Sequence, residues 1–179
     1  MSNPVTTHLY IGGKERKTAE KMAIADPAKP GVVVGYAASA TPQDASDAVA
    51  AAKAAYPAWS ALTPQQRAEK MLAALNGIAE NRDADAAILS QENGKIFQEA
   101  WVDSLVLELR WKLALALADE VNASKELPPV PGAIPVRTTV SYQPLGVVTI
   151  IVPFNWPVAI LGASLPHALL AVNTVVVKP

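Results

Sequence analysis

The spacing of apolar residues in the first part of the chain predicts four consecutive α-helices. Residues 41–44 (TPQD) and 63–66 (TPQQ) each place threonine before a helix, proline in its first turn, and an acid or amide three positions later. Met71, Leu75 and Ile78 recur at the helical period, which indicates one apolar face. The predicted helices cover residues 42–56, 64–81, 83–92 and 96–122.

Short apolar and β-branched runs predict strands near both ends of the chain. LYIGG at 9–13 has a Gly-Gly turn typical of a tight hairpin, and a short apolar strand follows the loop that contains Asp26-Pro27. Proline-rich LPPVPGAIP then leads into VRTTVSYQP at 136–144, whose alternation favours an exposed or edge strand.

Beyond Gly146 the pattern becomes strand, helix, strand, over residues 147–152, 156–171 and 174–177. This order is that of the opening βαβ unit of a doubly wound parallel sheet, so the predicted fold class is α/β. Parallel strands are buried on both faces, and a single unit cannot bury its own. We therefore expect the sheet within this chain to be incomplete.

The composition narrows the function classes. Lys and Arg number 15 and Asp and Glu 16, without the basic excess typical of nucleic-acid binding, and 51% apolar residues exclude intrinsic disorder. Because the chain has no cysteine and two distant histidines, His8 and His167, we expect no disulfide and no metal site. The N-terminus has no signal-peptide pattern, so the expected location is cytoplasmic.

An uncharged stretch between Arg137 and Lys178 raises the alternative of a membrane hairpin. Prolines at 153, 157 and 166 interrupt this stretch, and its two β-branched runs have the length of strands. A helix over the 16 residues 156–171 would be only about 24 Å long, short of a bilayer core of roughly 30 Å. We therefore expect no membrane span.

The turn IVPFNWP at 151–157 is the strongest candidate for a functional site. It ends a predicted buried strand and opens a helix, at the sheet edge where open α/β sheets bind ligands, although no GxGxxG is present. Asn155 has two interpretations: a cap for the following helix, or an amide donor to a reacting oxygen. Lys178, at the end of the next strand, is either a surface lysine or a cation over the same crevice.

Several motifs together resemble the aldehyde dehydrogenase superfamily. The stretch PLGVVTIIVPFNWPVAILGASLPHALLAVNTVVVKP at 144–179 is similar to that family's first βαβ unit. YIGGK at 10–14, Asp26-Pro27, AAKAAYPAWSALTPQQRAEKM at 51–71 and ENGK at 92–95 follow in the family's order. The resemblance covers essentially the whole chain, and family members are roughly three times as long.

The resemblance implies NAD or NADP as cofactor and a small-molecule aldehyde as substrate. It implies that Asn155 holds the oxyanion of the tetrahedral intermediate and that Lys178 bonds the adenosine ribose. The turn would lie against the nicotinamide end. The cofactor-binding residues implied in this way are Ile151, Val152, Pro153, Phe154, Asn155 and Lys178.

Three departures from the family pattern matter. Phe154 replaces the usual tryptophan, and Val172 replaces a customary glycine, at which a valine would tolerate a positive φ poorly. The nucleophilic cysteine and the general-base glutamate are missing, so we expect this chain to be inactive alone. The alternative is a non-catalytic, truncated module that associates with a full-length homologue.

The resemblance also divides the chain into three parts. Residues 1–126 supply N-terminal strands and helices of the NAD(P)-binding domain, residues 127–144 a connector and a strand of an oligomerisation hairpin, and residues 145–179 the first βαβ unit. The unfinished sheet and the uncharged stretch predict a homo-oligomer, or association with the remainder of the fold.

Overall fold

The computed structural model describes residues 4–131, 134 and 136–179, which form five helices and nine short strands. The helices are α1 (Pro42–Ser60), α2 (Pro64–Glu80), α3 (Arg82–Asn93), α4 (Phe97–Leu115) and α5 (Pro157–Leu170). The strands are β1 (Val5–Thr6), β2 (Leu9–Ile11), β3 (Lys14–Arg16), β4 (Lys21–Ala25), β5 (Val33–Ala38), β6 (Lys125–Leu127), β7 (Thr138–Val140), β8 (Val147–Ile151) and β9 (Thr174–Lys178).

Both helix starts that the sequence predicts carry a capping box. The Thr41 hydroxyl accepts from the Asp44 backbone N–H at 3.2 Å, and the Asp44 carboxylate accepts from the Thr41 N–H at 2.9 Å. Thr63 and Gln66 repeat this exchange at the start of α2, at 3.2 and 2.9 Å. Each box satisfies backbone donors that a helix leaves unpaired in its first turn.

Asp44 gives the start of α1 a pH dependence. Hydrogen bonds from the Thr41 side chain and backbone, followed by one from Arg16, lower the pKa of Asp44 from 3.8 to about 2. A carboxyl group whose pKa is lower in the folded than in the unfolded chain stabilises the fold at pH values above its unfolded pKa. That stabilisation is lost as pH falls from about 4 through about 2. We expect Asp44→Asn to lower the melting temperature at pH 6, with the difference from the unsubstituted chain shrinking towards pH 2. A difference that stayed constant between pH 6 and pH 2 would contradict this assignment.

Two helices end at positions that the sequence pattern did not predict. α1 continues past residue 56 through Pro57 to Ser60. α4 ends at Leu115 rather than at residue 122, because the chain then turns across the C-terminal end of α5, where the Asn122 side-chain amide donates to the Leu170 carbonyl at 3.0 Å.

The N-terminal strands form two small sheets. The predicted Gly-Gly hairpin is present as the antiparallel pair β2–β3, and Gly12 and Gly13 have φ of 60° and 77°, in the region that favours glycine. β5 pairs in parallel with β1 and antiparallel with β4. The sequence did not predict β4, nor β6, which pairs with β7 in an antiparallel ribbon whose residues are all exposed.

The predicted βαβ unit is present at the end of the described chain. β8 and β9 pair in parallel, in a register that sets Val147 beside Thr174 and Ile151 beside Lys178. α5 connects the two strands and packs closely on α4, since a Cβ at Gly162 would lie 2.6 Å from the Leu107 Cα. The buried core between these helices and α2 consists of Met71, Leu75, Leu107, Trp111, Ala114 and Leu170.

Val172 lies in a strained backbone conformation between α5 and β9. Its φ of 66° is the only positive value at a non-glycine residue in the described part of the chain. A left-handed conformation costs an L-residue about 1–2 kcal/mol, and glycine at this position would avoid that cost. Part of the gain would be lost again, because glycine loses more conformational freedom on folding. We expect Val172→Gly to raise the free energy of unfolding by about 0.5–1 kcal/mol in urea denaturation. Ala171→Gly, at a φ of −73°, is the matched control and should lower it; equal effects of the two changes would refute the strain.

The uncharged stretch between Arg137 and Lys178 forms β7, β8, α5 and β9. α5 has 14 residues. Among the residues described, no helix has both the length and the apolar character that crossing a membrane requires.

Candidate functional site

The two parts of the predicted site lie on neighbouring strand ends. Ile151 closes β8 directly beside Lys178 of β9, and the Val152 N–H donates to the Lys178 carbonyl at 3.2 Å. Both positions are therefore at the carboxyl edge of the parallel pair, where ligands of open α/β sheets bind. Val152 is buried, whereas Ile151 is 71% and Phe154 86% exposed. The edge thus offers two uncovered apolar side chains beside a lysine.

Asn155 is exposed and is not the cap of α5. The N-cap position belongs to Trp156, and no side-chain hydrogen bond caps the helix from that position. The interpretation of Asn155 as a helix cap is therefore wrong. A residue of another helix takes over the capping role. The Asp103 carboxylate on α4 accepts a hydrogen bond from the Ala159 N–H at 2.5 Å and so satisfies one backbone donor in the first turn of α5.

The turn at 153–156 is held by residues that precede α4. The Lys95 ammonium donates to the Asn155 carbonyl at 2.5 Å and to the Asp103 carboxylate at 3.0 Å. The Asn93 side-chain amide donates to the Phe154 carbonyl at 2.7 Å. The ENGK motif at 92–95 contributes to the family resemblance, but no sequence pattern indicates these contacts, because the partners are some sixty positions apart in the chain.

Lys178 is exposed, and its ammonium donates to the Pro179 carbonyl at 2.8 Å. The side chain also lies at one end of an apolar groove of about 800 Å³. This groove runs along β9 between the β2–β3 hairpin and the alanine-rich face of α1, and none of residues 151–155 lines it. It is therefore a different surface from the exposed turn after β8.

Side chains that could ligate a metal do not gather anywhere in the described ranges. No group of three or more His, Cys, Asp or Glu residues lies close enough there to hold an ion. The polar groups at the edge are the Asn155 amide, the Lys178 ammonium and the backbone groups of the turn, and the Asn93 amide and the Lys95 ammonium bond to that backbone.

Comparison with known proteins connects this edge to one family. Residues 14–179 match the model of the aldehyde dehydrogenase family. The chain is 32% identical over 175 residues to 1-pyrroline-5-carboxylate dehydrogenase of Anoxybacillus flavithermus and 31% identical to that of Geobacillus thermodenitrificans, covering 96% of this chain in each case. It spans only 33% of the length of either relative.

Solved structures agree with this match. Lactaldehyde dehydrogenase from Escherichia coli superposes with a TM-score of 0.87 at 26% identity, over 99% of this chain and 37% of that one. A putative methylmalonate-semialdehyde dehydrogenase from Sinorhizobium meliloti, complexed with NAD, gives 0.86 at 27% identity, over 100% and 36%. The fold, the motifs and the family model agree, and the chain belongs to the aldehyde dehydrogenase family.

Proposed function

We propose that this chain supplies the cofactor-facing N-terminal part of an NAD- or NADP-dependent dehydrogenase that oxidises an aldehyde to a carboxylic acid. The observation that carries the proposal is the carboxyl edge of β8 and β9, where Ile151 and Lys178 are register partners and the turn with Asn155 follows at once. Two solved neighbours named for aldehyde substrates, lactaldehyde and methylmalonate semialdehyde, the second complexed with NAD, support the same reading.

The residues present fit one side of a dinucleotide. Exposed Ile151 and Phe154 offer apolar surface for a planar ring, and the Lys178 ammonium offers donors for a ribose hydroxyl. We assign cofactor contacts to 151–155 and to Lys178. When bound, NAD(P)+ accepts the hydride from the substrate.

Asn155 is assigned to the oxyanion. Its side chain is exposed and takes no part in capping α5, so the amide is available to donate to a developing negative charge. No cysteine is present in the sequence to form the covalent thiohemiacetal that the family resemblance implies. We therefore assign binding and oxyanion functions, but no nucleophile, to these 179 residues.

A second candidate function is that of a non-catalytic module that assembles with a full-length homologue. The β6–β7 ribbon, in which every residue is exposed, favours it, since such a ribbon is suited to pairing with another chain. In this division residues 127–144 supply a connector and a strand of an oligomerisation hairpin, beside the N-terminal part (1–126) and the βαβ unit (145–179).

Cofactor binding tests the first candidate. Because one wall of a complete crevice is present, we expect NAD+ and NADP+ to bind with a Kd weaker than about 1 mM, detectable by saturation-transfer NMR. Lys178→Met should abolish the transfer to the ribose protons, whereas Lys53→Met, at an exposed position on α1, should preserve it.

An activity assay tests the absence of a nucleophile. With NAD(P)+ and any simple aldehyde we expect no growth of absorbance at 340 nm. Equal transfer in both variants, or aldehyde-dependent growth, would refute these assignments.

A further inference from the structure

The turn that carries Asn155 depends on a buried ion pair from another part of the chain. The Lys95 side chain is only 7% exposed and that of Asp103 is 0% exposed, and their charged groups lie 3.0 Å apart. Water therefore has no access to Asp103 and little to the Lys95 side chain, so the protein largely sets the directions of their hydrogen bonds.

The Lys95 ammonium contacts three residues, one on α4 and two in the turn after β8. It bonds Asp103 on α4 and the Asn155 carbonyl in the turn after β8, and it lies 4.4 Å from the ring centre of Trp156. The Ser90 hydroxyl on α3 donates to the Lys95 carbonyl at 2.7 Å and fixes the backbone from which this side chain starts. The ammonium therefore contacts two consecutive residues of the turn, the main chain of Asn155 and the side chain of Trp156.

Asp103 uses its second oxygen for the same purpose. One oxygen accepts from Lys95, and the other accepts from the Ala159 N–H in the first turn of α5. A carboxylate at a helix N-terminus is favoured by the helix dipole, so the charge of Asp103 is stabilised from two sides. The start of α5 and the carbonyl of Asn155 are thereby tied to one carboxylate and one ammonium.

From this arrangement we propose that Lys95, oriented by Asp103, is a positioning residue that fixes the backbone of Asn155 at the carboxyl edge of β8 and β9. The proposed function enters only through the oxyanion role of Asn155. An exposed side chain has no packing of its own to fix it, so the position of its amide depends on a rigid backbone.

Hydrogen–deuterium exchange followed by mass spectrometry on the 179-residue chain tests the proposal. We expect Lys95→Met to speed exchange in the segment 153–160, while the C-terminal half of α5 keeps its protection. Lys53→Met, an exposed lysine removed in the same way, should leave the segment unchanged. Unchanged exchange in Lys95→Met would overturn the proposal.

The double variant Lys95→Met/Asp103→Asn separates positioning from simple charge balance. It leaves no unpaired buried charge and keeps an acceptor for Ala159, so overall stability should recover. Exchange in 153–160 should nevertheless remain fast, because the donor to the Asn155 carbonyl is gone. Exchange at the original rate would show that Lys95 only neutralises Asp103, and would overturn the proposal even if the single variant failed to fold.

Added millimolar NAD+ distinguishes this proposal from the proposed function. We expect the cofactor to slow exchange in 153–160 in the unsubstituted chain and to have less effect in Lys95→Met. If NAD+ changes nothing in the unsubstituted chain, the cofactor assignment fails, whereas the comparison without NAD+ still decides whether Lys95 fixes the turn.

Discussion

Lys95→Met should lower the free energy of unfolding by about 3–5 kcal/mol, because it leaves the fully buried Asp103 carboxylate without its partner. The matched control is Lys112→Met on α4, where the lysine is 57% exposed and pairs with Glu108 one turn away. Lys112 is exposed, and Glu108, at 14% exposure, keeps Arg82 as a second partner, so this substitution should cost only about 0.3–0.5 kcal/mol. Urea denaturation of both variants measures the contrast.

The double variant Lys95→Met/Asp103→Asn provides the internal check on this explanation. Removing both charges abolishes the uncompensated carboxylate, so most of the lost stability should return. A cost of Lys95→Met no larger than that of Lys112→Met would mean that water reaches Asp103, contrary to its complete burial.

The second large effect concerns assembly. Among the described residues β9 pairs only with β8, so its other edge is open, and residues of β9 line the apolar groove along α1. An open apolar strand edge is a template for pairing with another chain. We expect sedimentation velocity at low micromolar concentration to show species larger than the 18.8 kDa monomer.

Two lysine substitutions test whether the strand edge causes this association. Val177→Lys places a charge on β9 and should shift the distribution towards monomer. Ile88→Lys on α3 changes another β-branched residue with the same 37% exposure, away from that edge, and should not. A single compact species near 19 kDa for the unsubstituted chain would contradict the prediction.

Local signals predicted the elements whose causes are local. The capping boxes at Thr41 and Thr63 fix two helix starts within four residues of sequence, and the Gly12-Gly13 turn fixes a hairpin. The βαβ unit followed from two β-branched runs on either side of a helical segment. Strands β4 and β6 were missed because they are short and mostly exposed, which leaves little hydrophobic pattern to detect.

The functional contacts of the turn could not be predicted in the same way. Asn155 lies just before a helix that begins with proline, so the local pattern favoured a helix cap at this residue. In the structure the Asp103 carboxylate on α4 accepts from the first turn of that helix instead. Lys95 and Asn155 are sixty positions apart, and no periodicity relates them. The family resemblance supplied roles for Asn155 and Lys178, but the contacts that hold the turn could be found only from the fold.

Methyl NMR of isoleucine-labelled protein during an NAD+ titration tests the central claim most directly, because each isoleucine reports from one known position. We expect the methyl resonance of Ile151, which is exposed at the carboxyl edge, to shift progressively as NAD+ is added. The methyl of Ile150, buried in the same strand, and that of Ile11, which lines the groove along α1, should stay in place. A response at Ile11 with none at Ile151 would place the cofactor in the groove and contradict the assignment of cofactor contacts to 151–155.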